Sequence, residues 1–256
     1  MSAAESFNYS DQFPDRINTG SVVGASLEEI GNNGGFSIFP KPPKKKHIQK
    51  NHPIITSVGQ IWNEKEYAKP HPPLILKKGV KSLPIFPEDT FLNVSSLPIK
   101  FPNMGYRVPI EFESLKPFIR RCAGFEHAIN PEISSYFCYL TVDQRNVEAG
   151  NGHRSVGAHC DGIQGPRINP KRPVERFYLL TDSAATTRFY DQTFNLGDAK
   201  ANTHDLTKRF QTQADPNKIW TPEYGKIAIL DSYTVHEGPL LEEAQTRLLV
   251  KLIYAS

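Results

Sequence analysis

Three residues in the C-terminal half of the chain have the types and spacing to hold a metal ion: His159 and Asp161, separated by Cys160, and His236. In an extended segment residues i and i+2 project to the same side, so His159-Cys160-Asp161 presents an imidazole and a carboxylate together and turns Cys160 away into packing. His236 follows the apolar run Ile227-Ala228-Ile229-Leu230 and precedes a Gly238-Pro239 turn. Two imidazoles and one carboxylate on one face of a metal leave three positions open. That suits non-haem iron(II) that must take up an organic chelate and dioxygen together. A His-x-Asp pair on a strand also serves as a hydrogen-bonded pair at a turn, so the spacing alone is a weak signal.

Arg247 sharpens it. Eleven residues after His236, it opens the terminal run Arg247-Leu248-Leu249-Val250-Lys251-Leu252-Ile253-Tyr254. An arginine at the mouth of a buried strand is costly unless it meets an anion. A guanidinium fork matches a carboxylate with two parallel bonds, and the far carboxylate of 2-oxoglutarate is such a group. A structural Asp or Glu would satisfy it as well. Lys251 shares strand parity with Arg247 and is a second candidate anion partner.

The elements that must position these residues read as strands from about residue 135 onward. Tyr136 to Val142, Arg176 to Thr181, Thr187 to Tyr190, Ile227 to Leu230 and Arg247 to Tyr254 are dense in aromatic and β-branched residues. Short strands separated by Gly, Pro and Asp turns make a sandwich or barrel. Between Glu113 and Gly124 the spacing of Leu115, Phe118, Ile119 and Cys122 predicts a helix stopped by Gly124. A second helix is expected from about Thr203 to Gln213, a surface insertion with a small apolar face of Leu206 and Phe210, with His204 and Asp205 as capping residues.

At 256 residues, 38% hydrophobic and 22% charged, the chain has the composition of an ordinary globular domain. Its net charge of +3 gives no case for nucleic acid as partner. The 21 prolines and 17 glycines punctuate it too often for a helical bundle. No run approaches the length of a membrane span, and the polar start from Met1 to Arg16 does not read as a secretory signal. The 3 cysteines, Cys122, Cys138 and Cys160, lack CxxC spacing, which argues against a disulfide framework and for a reducing, cytoplasmic location.

Residues 1–50 are expected to be poorly structured or extended, with a glycine-rich run at Gly31 to Gly35 and a solvated basic run from Pro40 to Lys46. Residues 51–256 read as a single domain, in which 50–110 wrap the core as extended segments such as Pro73 to Leu76 and Leu83 to Phe86.

The order His159-x-Asp161, His236, Arg247 at this spacing resembles the Fe(II)/2-oxoglutarate-dependent dioxygenase superfamily over about residues 135–254. The resemblance implies a mainly β chain folded as a double-stranded β-helix, or jelly roll, with iron on His159, Asp161 and His236. It places 2-oxoglutarate on the iron with its far carboxylate on Arg247, and O2 as the second cosubstrate. Thr186-Thr187-Arg188-Phe189-Tyr190 is similar to the family's Thr-x-Phe stretch, which would bring Thr187 to the nearer carboxylate. Many members carry Ser two residues after the arginine, where this chain has Leu249, so Tyr139 or Tyr178 would have to supply the missing hydroxyl. A small residue replaces the carboxylate in related halogenases; with Asp161 present the resemblance implies hydroxylation, desaturation or ring closure, yielding succinate and CO2.

The expected substrate is a small metabolite such as an amino-acid derivative, because Arg154, Arg167, Arg172, Arg176 and Arg188 surround the expected mouth. Arg188 is a candidate substrate contact, whereas His153 and Arg154 read as an exposed loop. Three alternatives stand beside this reading: a cupin-like metalloenzyme without 2-oxoglutarate, an oxygenase acting on a protein side chain, and a non-catalytic binding module on the same fold.

Overall fold

In a computed structural model of the chain, residues 35–43, 48–77, 79, 86–87, 91–154, 156–162, 173–180, 186–197 and 203–256 are described. The glycine run at 31–34, Lys44 to Lys46, Leu83 to Ile85, Arg167 and Arg172, and the side chain of His204, lie outside them. The strands are β1 (Phe36–Ile38), β2 (Leu74–Ile75), β3 (Leu92–Lys100), β4 (Tyr106–Val108), β5 (Phe137–Val147), β6 (Arg176–Leu180), β7 (Arg188–Tyr190), β8 (Ile219–Trp220), β9 (Ile227–Asp231), β10 (His236–Glu237) and β11 (Gln245–Ala255). Among the described residues three α-helices join them: α1 (Pro53–Thr56), α2 (Lys116–Ile129) and α3 (Thr203–Gln213).

The chain is mainly β. Six strands form one sheet in the order β2-β9-β6-β11-β5-β3, antiparallel throughout, and three form a second in the order β10-β7-β8. Alternation along the central strands sorts side chains to two sides. Cys138, Leu140, Val142, Tyr178, Ile227, Ile229, Val250, Leu252 and Tyr254 pack against Phe118, Ile119 and Cys122 of α2. The opposite side carries Phe177, Leu179, Ala228 and Leu230, which pack with Phe189 of the smaller sheet. That second interior, between the sheets, is where the candidate ligands lie.

Helix α2 runs beyond its expected stop. Gly124 lies within it because its missing side chain admits the backbone at Lys41, whose carbonyl oxygen would come within 2.4 Å of a Cβ there. The turn before it, Ile110–Leu115, is a 3-10 helix. Helix α3 begins and ends as expected, and Leu206 and Phe210 pack into a cluster with Tyr67, Phe194 and Tyr233. Strand β3 replaces part of the expected wrapping segments. It is an edge strand, where Pro98 costs no ladder bond, and Ser96 at φ 54° marks the register shift between Val94 and Leu97. Phe36–Ile38, inside the expected loose N-terminal segment, pairs with β4 and buries Ile38.

Candidate metal centre

His159 and His236 are held opposite one another by main-chain bonds. The His159 amide donates to the His236 carbonyl at 2.9 Å, and the His236 amide donates to the His159 carbonyl at 2.8 Å. Their rings lie 4.5 Å apart between centroids. Each ring is fixed through Nδ1, His159 against the Gly157 carbonyl at 2.8 Å and His236 against the Thr234 carbonyl at 3.0 Å. A carbonyl only accepts, so Nδ1 carries the proton in both rings and Nε2 keeps its lone pair. Asp161 adds a carboxylate, with Oδ2 3.9 Å from His236 Nε2. One ligand atom from each of the three residues falls within 4.8 Å of the others.

Local structure explains each position. Gly162 turns the chain directly after Asp161 at φ +81°, and a Cβ there would lie 2.5 Å from Ser232 Oγ, so this position is closed to other residues. Gly157, at φ +86°, supplies the carbonyl for His159 and lies against Gln211 of α3. The turn that delivers His236 is organised by Asp231, which is fully buried. Its Oδ1 accepts from the Tyr233 amide at 3.0 Å and from Thr234 Oγ1 at 3.2 Å; its Oδ2 accepts from Ser57 Oγ at 2.6 Å and meets His71 Nε2 at 2.7 Å. Tyr67 ties the same turn through the Ser232 carbonyl, and its hydroxyl also meets Cys160 Sγ at 3.2 Å. Cys160 is buried, as strand alternation requires, and burial pushes its thiol up to about 12.

The electrostatics favour an ionised carboxylate beside a neutral His236 ring. Burial alone would raise the Asp161 carboxyl, but the Lys251 ammonium and the two imidazoles outweigh it and hold the group well below the usual carboxylate range. His236 is pushed down to about 4, first by burial and then by His159, against the opposing pull of Asp161. Lys251 Nζ donates to Asp161 Oδ2 at 2.9 Å and lies 5.4 Å from the centroid of Phe177.

No known family model and no curated protein matches the chain. The remaining site residues are therefore placed by geometry alone. Arg247 is 6% exposed and shares its face of β11 with Leu249 and Lys251, the face turned to the triad. Thr187 directly precedes β7 with the parity of Phe189, whose ring lies 6.0 Å from His236. Tyr139 lies on the Lys251 side of the sheet, across from Ile253 and stacked on Phe137. Tyr178 is not brought to the triad: it points to α2, where its hydroxyl donates to Glu126 Oε2 at 2.8 Å. Arg176 goes the same way, donating through Nε to both oxygens of Glu126 at 2.8 and 3.0 Å. Arg188 points out of the smaller sheet, with Nη1 3.6 Å from Glu237 Oε1.

His153 is not an exposed loop residue. Its side chain is 8% exposed, with Nε2 3.3 Å from Asp143 Oδ1. Asp143 also meets Arg145 Nη2 at 2.8 Å and Arg154 Nε at 3.1 Å. Sequence reasoning passed over this group. The signal was present in β5, where apolar Cys138, Leu140 and Val142 alternate with Thr141, Asp143 and Arg145, placing an acid and a base on the side away from α2. For Asp231, Ser57 and His71 the sequence carries no local signal, because the contacts span 160 residues or more.

Proposed function

We propose that this protein is an iron(II)- and 2-oxoglutarate-dependent oxygenase. The observation that carries the reading is the triad itself: two imidazoles presenting Nε2 and one ionised carboxylate on a shared site, with their Nδ1 atoms fixed by carbonyls in the manner of metal-ligating histidines. The donor set fits a hard-to-borderline divalent cation with open positions. The sheet order β9-β6-β11-β5, facing β8-β7-β10 with His159 bridged to His236, supports the double-stranded β-helix as the architecture.

In this reading His159, Asp161 and His236 hold the iron. When bound, that iron supplies the activation of dioxygen, coupled to decarboxylation of 2-oxoglutarate to succinate and CO2. The protein's own part is binding and exclusion. Arg247 would meet the far carboxylate of 2-oxoglutarate, Thr187 would border the nearer one, and Lys251 fixes Oδ2 of Asp161. Phe177, Leu179, Phe189 and Leu230 wall the interior and keep water from it. The substrate is a small metabolite such as an amino-acid derivative.

Anaerobic visible spectra during addition of Fe(II) and then 2-oxoglutarate test this, with Arg247→Ala and His236→Ala compared with wild type. A charge-transfer band requiring both additions, weakened in the first variant and absent in the second, is the expected result. Iron binding without response to 2-oxoglutarate would move the cupin-like reading ahead. Failure to bind iron would end the enzyme reading.

A further inference from the structure

Along the triad-facing side of the sheet the paired residues are Thr141 with Lys251, Asp143 with Leu249, and Arg145 with Arg247. Successive same-side residues are about 7 Å apart, so Asp143 and Arg145 lie roughly 7 and 13 Å along the sheet from the Lys251 row that reaches Asp161. Arg145 and Arg247 are directly opposite, a like-charge pairing that destabilises a sheet unless negative charge lies between them. A third guanidinium arrives from the loop between β5 and His159. That loop is pinned to the segment following His236: the Gly150 amide donates to the Leu241 carbonyl at 2.8 Å, the Leu241 amide donates to the Asn151 carbonyl at 3.0 Å, and Val156 bridges Gly238. The pinning delivers Arg154 and His153 to Asp143.

Two guanidinium groups and an imidazole thus gather on one carboxylate, and the two arginines alone outnumber its charge. The side chains of Arg145 and Arg154 remain 39% and 38% exposed while both contact the same Oδ2 of Asp143. Arg145 Nε is buried with no hydrogen-bond partner among the described residues. Asp143 orients both forks, and neither is saturated by it.

We propose that Arg145 and Arg154, positioned by Asp143 and His153, form the recognition site for a carboxylate on the primary substrate. The inference rests on the oxygenase reading for the word substrate, and on the cation cluster alone for the anion site. It makes the substrate an acid, held by its charged end about 10 Å along the sheet from the triad so that its aliphatic part lies over the ligands.

The test is fluorine NMR of 4-fluorobenzoate and of the uncharged 4-fluorobenzamide, titrated with protein saturated in Zn(II) and 2-oxoglutarate. Broadening of the benzoate line alone, at least fivefold weaker in Arg154→Gln and Arg145→Gln but retained in Arg154→Lys, is the expected result. In the same variants the affinity for 2-oxoglutarate stays within about twofold of wild type. Equal broadening by the amide, or benzoate binding indifferent to both substitutions, overturns the proposal. A tenfold loss of 2-oxoglutarate affinity in either variant also overturns it, because the patch then holds the cosubstrate. Repeating the titration without Zn(II) or 2-oxoglutarate separates the two claims, since the anion site is read there even if the protein takes up no cosubstrate.

Discussion

The ammonium of Lys251 lies 2.9 Å from Oδ2 of Asp161, the only carboxylate of the triad. Two opposed effects follow. The nearby positive charge disfavours a second cation, while the hydrogen bond holds the carboxylate in place and leaves one oxygen for the metal. Partners that orient a metal ligand are typically worth about 10–100-fold in affinity, so orientation should win. Lys251→Met should therefore weaken Co(II) binding at least tenfold, and Lys251→Arg should restore most of it, read by visible titration. Tighter binding in Lys251→Met would show instead that the lysine is a counter-ion which the metal displaces.

The ion pair between Arg176 and Glu126 joins the large sheet to α2 with both side chains fully buried. Glu126 also accepts from Tyr178 and from Asn130. Removing one partner strands the other charge, a cost of about 3–5 kcal/mol. Arg176→Met should then lower the melting temperature by roughly 6–20 °C. Arg176→Met with Glu126→Gln should recover part of that loss, because no buried charge remains. Calorimetric scans of the two variants decide it, and equal losses would mean that packing rather than charge dominates.

Asp231→Asn should damage the metal centre without touching a ligand. The amide keeps one acceptor oxygen and sets its NH2 either against Ser57 Oγ and His71 Nε2 or against Thr234 Oγ1 and the Tyr233 amide, a mismatch costing about 1–3 kcal/mol. The turn that supplies the Thr234 carbonyl to His236 then loosens, and metal affinity should fall by about tenfold. Ser57→Ala, which leaves the Tyr233 and Thr234 bonds in place, should retain near wild-type affinity. Isothermal titration with Co(II) compares the two.

Asp143 gives the protein an acid-sensitive element. Burial would raise its carboxyl, but the His153 contact together with Arg154 and Arg145 holds it below the usual range. A folded value below the unfolded one means that the stabilisation is present above about pH 4 and is lost as pH falls toward the lower folded value. Asp143→Asn should be less stable than wild type by about 1–3 kcal/mol from pH 6 to 8, with the gap closing below about pH 4. Urea unfolding across that range measures it, and a gap independent of pH would assign the effect to shape rather than charge.

The His159-Asp161-His236 cluster was legible because metal chemistry restricts residue types and strand geometry restricts spacing: His159 and Asp161 are two apart, and His236 follows an apolar strand. Strands β5, β6, β9 and β11 were legible for the same reason, being dense in aromatic and β-branched residues. What was hidden depended on which way a strand faces. All five residues of β6 are buried, so its periodicity does not say that Tyr178 points to α2 while Phe177 points to the triad. Pro98 and the Ser95-Ser96 pair masked β3, whose partners on β5 lie 38 to 52 residues on. Gly124 read as a stop because a glycine at a helix end and a glycine under a crossing backbone look alike in sequence.

The paired main-chain bonds between His159 and His236 set how the metal would arrive. The two histidines belong to one rung of hydrogen-bonded backbone, so the distance between them is decided when the chain folds. The loss of freedom that brings them together falls on folding and not on metal uptake. Chelation should strip the centre and leave the sheets standing, unlike small zinc domains that unfold when emptied. An empty site of this kind is a template, ready for whichever divalent ion the cell supplies, and its selectivity must then come from supply and from the groups that fill the open positions.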